Sequence, residues 1–119
     1  MKVKAYTDLE QSKKLAKILK IETADMRFCF SHTLGGRIIG HYPMIGREPS
    51  MGTIPCWSLS ALLNVLPKEQ HPKLMMNAHY NWICDIINPS SFVYKPTAGD
   101  NPLDAVFEMI IQLHELKML

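Results

Sequence analysis

The chain has 119 residues, of which 47% are hydrophobic and 20% charged, with a net charge of +2. That length is one ordinary domain, 1–119, with enough apolar residues for a core, and the composition excludes a disordered or coiled-coil chain. The charge balance is too small to diagnose a nucleic-acid or membrane partner.

The first residues carry lysines with no apolar run behind them, so no secretory leader is expected. The first predicted element is a helix over about 8–19. Thr7 with Glu10 three residues later fits a capping box. Leu9, Leu15, Ala16, Ile18 and Leu19 fall on one side at helical spacing, and Lys13, Lys14, Lys17 and Lys20 on the other. Residues 26–31 alternate as a strand does, and Leu34-Gly35-Gly36-Arg37 supplies a turn. A second strand is expected over 37–45, where Pro43 demands an edge position or an early end. The stretch 46–52 reads as an exposed loop.

A second helix is expected from Cys56 or Ser58 to Leu66, capped by Thr53 or Ser58 and stopped by Pro67. Three strands follow, at about 74–79, 82–87 and 92–95, with a turn at 88–91. Trp82, Cys84 and Ile86 alternate with Ile83, Asp85 and Ile87, so one face is fully apolar and the other partly so. The last helix is capped by Asp100 or Asn101, has Pro102 in its first turn and runs to about Lys117. Asp104, Glu108, Gln112 and Glu115 form its one polar stripe, and an apolar arc this wide requires burial on more than one side. The order α-β-β-α-β-β-β-α places the chain in the α+β class, an antiparallel sheet with helices packed on one face.

No motif names an activity. The three cysteines, Cys29, Cys56 and Cys84, are widely spaced with no Cys-x-x-Cys, which fits free thiols in a reducing cytoplasm. None of the five histidines stands at metal-site spacing from another, so no metal and no cofactor are expected. Cys56, at the expected start of the second helix, is the one candidate nucleophile, because a helix N-terminus favours thiolate; its plainer reading is a small buried residue beside Trp57. Residues 1–60 carry 9 Lys/Arg against 5 Asp/Glu, and Lys13, Lys14, Lys17 and Lys20 could track a phosphate backbone, although a lysine face is usually just solvated. Tyr42, Met44, Ile45 and Met51 make a semi-apolar loop region, and eight methionines suit an adaptable contact surface.

The segments 5–16 (Ala-Tyr-Thr-Asp-Leu-Glu-Gln-Ser-Lys-Lys-Leu-Ala), 57–67 (Trp-Ser-Leu-Ser-Ala-Leu-Leu-Asn-Val-Leu-Pro) and 101–110 (Asn-Pro-Leu-Asp-Ala-Val-Phe-Glu-Met-Ile) resemble a family of small uncharacterised proteins of gut anaerobes, often carried on phage-like or conjugative elements. The resemblance implies a cytoplasmic accessory protein of mobile-element origin and no activity, cofactor or catalytic residue. The expectation is therefore a non-catalytic protein that binds another protein or itself, with no membrane partner. The alternatives are weak nucleic-acid binding through the first helix's lysines and a small cysteine-dependent enzyme centred on Cys56.

Overall fold

The computed structural model describes residues 4–32, 38–45, 54–87 and 95–119, with the backbone alone at 29–32 and 38–45. The fold is α+β. Among the described residues, three α-helices, α1 (Leu9–Ala16), α2 (Leu59–Val65) and α3 (Pro102–Glu115), are interspersed with six strands: β1 (Met26–His32), β2 (Ile38–Ile45), β3 (Ile54–Cys56), β4 (Lys73–Met76), β5 (Trp82–Asp85) and β6 (Thr97–Gly99). The expected order holds, with the three-residue β3 added before α2. The strands divide between two three-stranded antiparallel sheets, β2-β1-β3 and β4-β5-β6. The chain forms two compact units, Tyr6–Ala61 and Met1–Ala5 with Leu62–Leu119.

In the unit Tyr6–Ala61, α1 starts one residue later than the sequence predicts. Asp8 is the N-cap, accepting from the Gln11 N–H at 2.8 Å, and the Gln11 side chain accepts from the Asp8 N–H at 3.1 Å. The capping box is thus Asp8 with Gln11 rather than Thr7 with Glu10. A carboxylate at the cap adds favourable charge at the positive end of the helix dipole. Regular helix ends at Ala16, so Ile18 and Leu19 lie in the turn beyond it. Pro43 sits in β2 opposite Phe28. Among the described strands β2 is at the edge of its sheet, the position to which proline is ordinarily confined. Among the described residues of this unit, Leu15, Ala24, Phe28, Cys56, Trp57 and Ala61 are buried, and the Tyr6 ring meets Phe28 edge-on with centroids 6.1 Å apart.

In the other unit, β4 and β5 are joined by a tight hairpin. The Asn77 side chain accepts from the N–H groups of His79 and Asn81 at 2.9 and 3.0 Å, and this holds Tyr80 in the left-handed region at φ 63. The third strand lies at Thr97–Gly99; of the stretch 92–95 where the sequence places it, 92–94 are outside the described residues, as is the turn at 88–91. Helix α3 lies against β5 and β6. Asn101 caps it, accepting from the Asp104 N–H at 2.9 Å, and Pro102 occupies its first position. Leu103, Ala105, Val106, Phe107, Met109, Ile110 and Leu113 are all buried, which explains the wide apolar arc. Two members of its polar stripe also make contacts. Asp104 accepts an ion-paired hydrogen bond from Lys4 at 2.9 Å, and Gln112 clamps the Lys95 backbone, accepting from its N–H at 2.8 Å and donating to its carbonyl at 2.6 Å.

Candidate functional site

Two places carry features worth weighing as sites: the surroundings of Cys56, and the side of sheet β4-β5-β6 turned away from α3.

Cys56 ends strand β3 and stands three residues before α2 begins, so the helix N-terminus expected to acidify it is not at its position. Ser58 takes the capping role, its hydroxyl accepting from the Ala61 N–H at 3.2 Å. The Cys56 side chain is fully buried. Its thiol donates to the Thr7 carbonyl at 3.4 Å and accepts from the Thr7 hydroxyl at 3.6 Å. Burial pushes this thiol up, against hydrogen bonds from Thr7 and Ser12 that pull the other way. A neutral, enclosed thiol is a packing group rather than a poised nucleophile. The structure overturns the geometric premise of the Cys56 candidacy.

The groups around it act as a tie between chain segments. Thr7 exchanges backbone and side-chain bonds with Trp57: its N–H donates to the Trp57 carbonyl at 2.9 Å and its hydroxyl accepts from the Trp57 N–H at 3.1 Å. Thr7 and Ser12, both fully buried, place their hydroxyls 2.8 Å apart. The Trp57 indole N–H donates to Thr23 at 3.0 Å. Asp25 accepts from the Ser58 N–H at 2.9 Å and from its hydroxyl. The Thr7 and Ser12 hydroxyls and the Trp57 indole N–H thus each have a partner, as low-dielectric surroundings demand. Ser58 beside Asp25 has the composition of a catalytic pair, but its hydroxyl is committed to the carboxylate and to the helix cap.

The remaining sequence candidates fall elsewhere. Lys13, Lys14, Lys17 and Lys20 are all exposed, along α1 and the turn after it. Tyr42, Met44 and Ile45 are in β2, paired with Cys29, Arg27 and Met26, and so belong to a strand rather than a loop; Met51 lies outside the described residues. Among the described residues no group of three histidine, cysteine or acidic side chains could hold a metal. His71, His79 and His114 are each exposed. No described helix is long and apolar enough to cross a membrane.

The second place was not singled out from the sequence. Cross-strand pairing puts Leu74, Cys84 and Thr97 in one row and Met76, Trp82 and Gly99 in another. This face looks at α3: the Thr97 hydroxyl donates to the Ala105 carbonyl at 2.6 Å, and a Cβ at Gly99 would stand 2.8 Å from the Ala105 nitrogen. By alternation the opposite face carries Lys73, Met75, Ile83, Asp85, Ala98 and, just past β5, Ile87. Met75, Ile83 and Ala98 form an apolar row across all three strands, with Lys73 opposite Asp85 in the adjacent row. Met75 is 43% and Ile87 46% exposed. The signal was present in the sequence: Met75 next to Met76, and Ile83 and Ile87 alternating against Trp82, Cys84 and Ile86, make both faces of these strands apolar.

No family model, curated protein or solved structure matches this chain.

Proposed function

We propose that the chain acts by binding a polypeptide, and that the outer face of sheet β4-β5-β6 is the surface it uses. The observation that supports this reading is the apolar row Met75–Ile83–Ala98 on the side away from α3, with Met75 and Ala98 exposed and Ile83 half-buried. A sheet face of an antiparallel meander that meets only water is ordinarily polar at such positions. A connected apolar stripe bordered by a lysine and a carboxylate is the composition of a small contact surface, with an apolar centre and a polar rim. Methionine at its edge suits a surface that adapts to what it meets.

The test is photo-crosslinking in cells that express the full chain, with p-benzoylphenylalanine at position 75 or, as comparison, at position 14 on α1. A polypeptide adduct from position 75, absent from position 14 and lost when Ala98→Glu places a charge in the row, is the expected result. Absence of any adduct from position 75, or nucleic-acid adducts from position 14, would overturn it.

A further inference from the structure

We infer that the occupant of this face is a second copy of the chain, related by a two-fold axis that runs parallel to the strands midway between β4 and β5. The inference rests on the reading of that face as a polypeptide-binding surface.

The charge and shape order of the face under a two-fold operation selects this occupant. In an isologous contact, whatever residue i meets on the other copy must meet i in return. The register pairs Lys73 with Asp85 and Met75 with Ile83 on neighbouring strands. An axis lying between those two strands exchanges them, so β4 of each copy lies over β5 of the other. Lys73 of one copy then stands over Asp85 of the other, and the reverse, while Met75 stands over Ile83, and the reverse. One operation thus satisfies both opposite-charge contacts and both apolar contacts, which is electrostatic complementarity of a surface with itself. Moving the axis onto β5 stacks Asp85 on Asp85, and moving it onto β4 stacks Lys73 on Lys73. Like-charge repulsion disfavours both, so the charges select the register as well as the partner. Two sheets facing each other at about 10 Å with aligned strands is the ordinary geometry of a sandwich.

The two charges are available for this role. Among the described residues no ion pair joins Lys73 to Asp85 although they are cross-strand neighbours, and Asp85 accepts from the Ile86 N–H through one carboxylate oxygen at 2.8 Å. Lys73 is exposed and Asp85 half-buried.

Sedimentation equilibrium over a concentration series of the full chain tests the inference, with circular dichroism confirming that each variant is folded. The wild-type chain is expected to dimerise. Lys73→Asp and Asp85→Lys should each weaken the dimer by about tenfold or more, because each places like charges across both symmetric contacts. The double variant Lys73→Asp with Asp85→Lys restores both pairs and should return to within about threefold of wild type. Met75→Lys, at an exposed position that leaves folding intact, should also weaken the dimer. A wild-type chain that stays monomeric throughout while position 75 still crosslinks to a different polypeptide would overturn the two-fold pairing and leave the binding reading standing. A monomer with no crosslink from position 75 removes both. A dimer unmoved by the charge variants places the interface elsewhere and overturns the inference.

Discussion

Thr7 satisfies more neighbours than any other small side chain near Cys56. Its hydroxyl serves the Trp57 N–H, Ser12 and the Cys56 thiol from a fully buried position. Thr7→Val keeps the shape but strands the Trp57 N–H, so it should cost about 1–3 kcal/mol in chemical denaturation, while Thr7→Ser, which keeps the acceptor, should cost less. Cys84 predicts a pH effect. Burial, with the neighbouring Asp85 carboxylate adding to it, pushes its thiol up to about 11 from the ordinary value of 9.0. Between those two values the unfolded chain has released the proton and the folded chain still holds it. The folded state therefore binds more protons, and stability falls as pH rises through that window. The loss attributable to Cys84 should reach about 3 kcal/mol above the folded value, and denaturation curves of Cys84→Ala should lack that share of the alkaline slope.

At the level of elements, the start of α3 depends on close approach and on its cap. Asn101 is fully buried, accepts from the Asp104 N–H and donates to the Asp104 carboxylate at 2.8 Å. Asn101→Ala removes both bonds and should lower stability by about 1–2 kcal/mol, read from the denaturation midpoint. Gly99 lets β6 lie directly against that first turn, since an added Cβ would be 2.8 Å from the Ala105 nitrogen and 2.9 Å from the Asp104 Cβ. Both neighbours belong to the rigid start of the helix, so Gly99→Ala forces β6 and α3 apart. It is expected to cost about 1–3 kcal/mol, with amide exchange quickening first in β6 and in the opening turn of α3.

Across the whole molecule, the residues buried in the core and those of the proposed binding face are different. Met75 is exposed, so Met75→Lys should change stability by less than about 0.5 kcal/mol while weakening the proposed association. Leu113→Ala, on the buried side of α3, should do the reverse, costing about 2–5 kcal/mol through the cavity it leaves. Paired thermal-melt and sedimentation measurements on the two variants separate the roles. Cys56 and Cys84 are both fully buried, and peptide mapping after brief alkylation at neutral pH should find both unmodified until denaturant is added.

The sequence by itself determined the α+β class, the order of helices and strands, and the apolar arc of α3 with Pro102 in its first turn; it narrowed the cap to Asp100 or Asn101 and Pro43 to an edge position or a strand end. Each of these follows from local periodicity or from the fixed chemistry of a cap or a proline, which neighbours in sequence suffice to express. The tertiary structure alone decided that Asp8 rather than Thr7 caps α1, because Trp57 and Cys56, some fifty residues on, claim the Thr7 hydroxyl. It decided that Cys56 ends a strand, because the pairing of Met26 with Cys56 extends the sheet just short of α2. It decided too that the strands form two sheets and that Met75, Ile83 and Ala98 line up on a face that α3 does not cover. Strand pairing and its register join residues far apart in the chain. One sequence read locally shows which residues alternate, but not which strand each will meet or which of its faces a helix will cover.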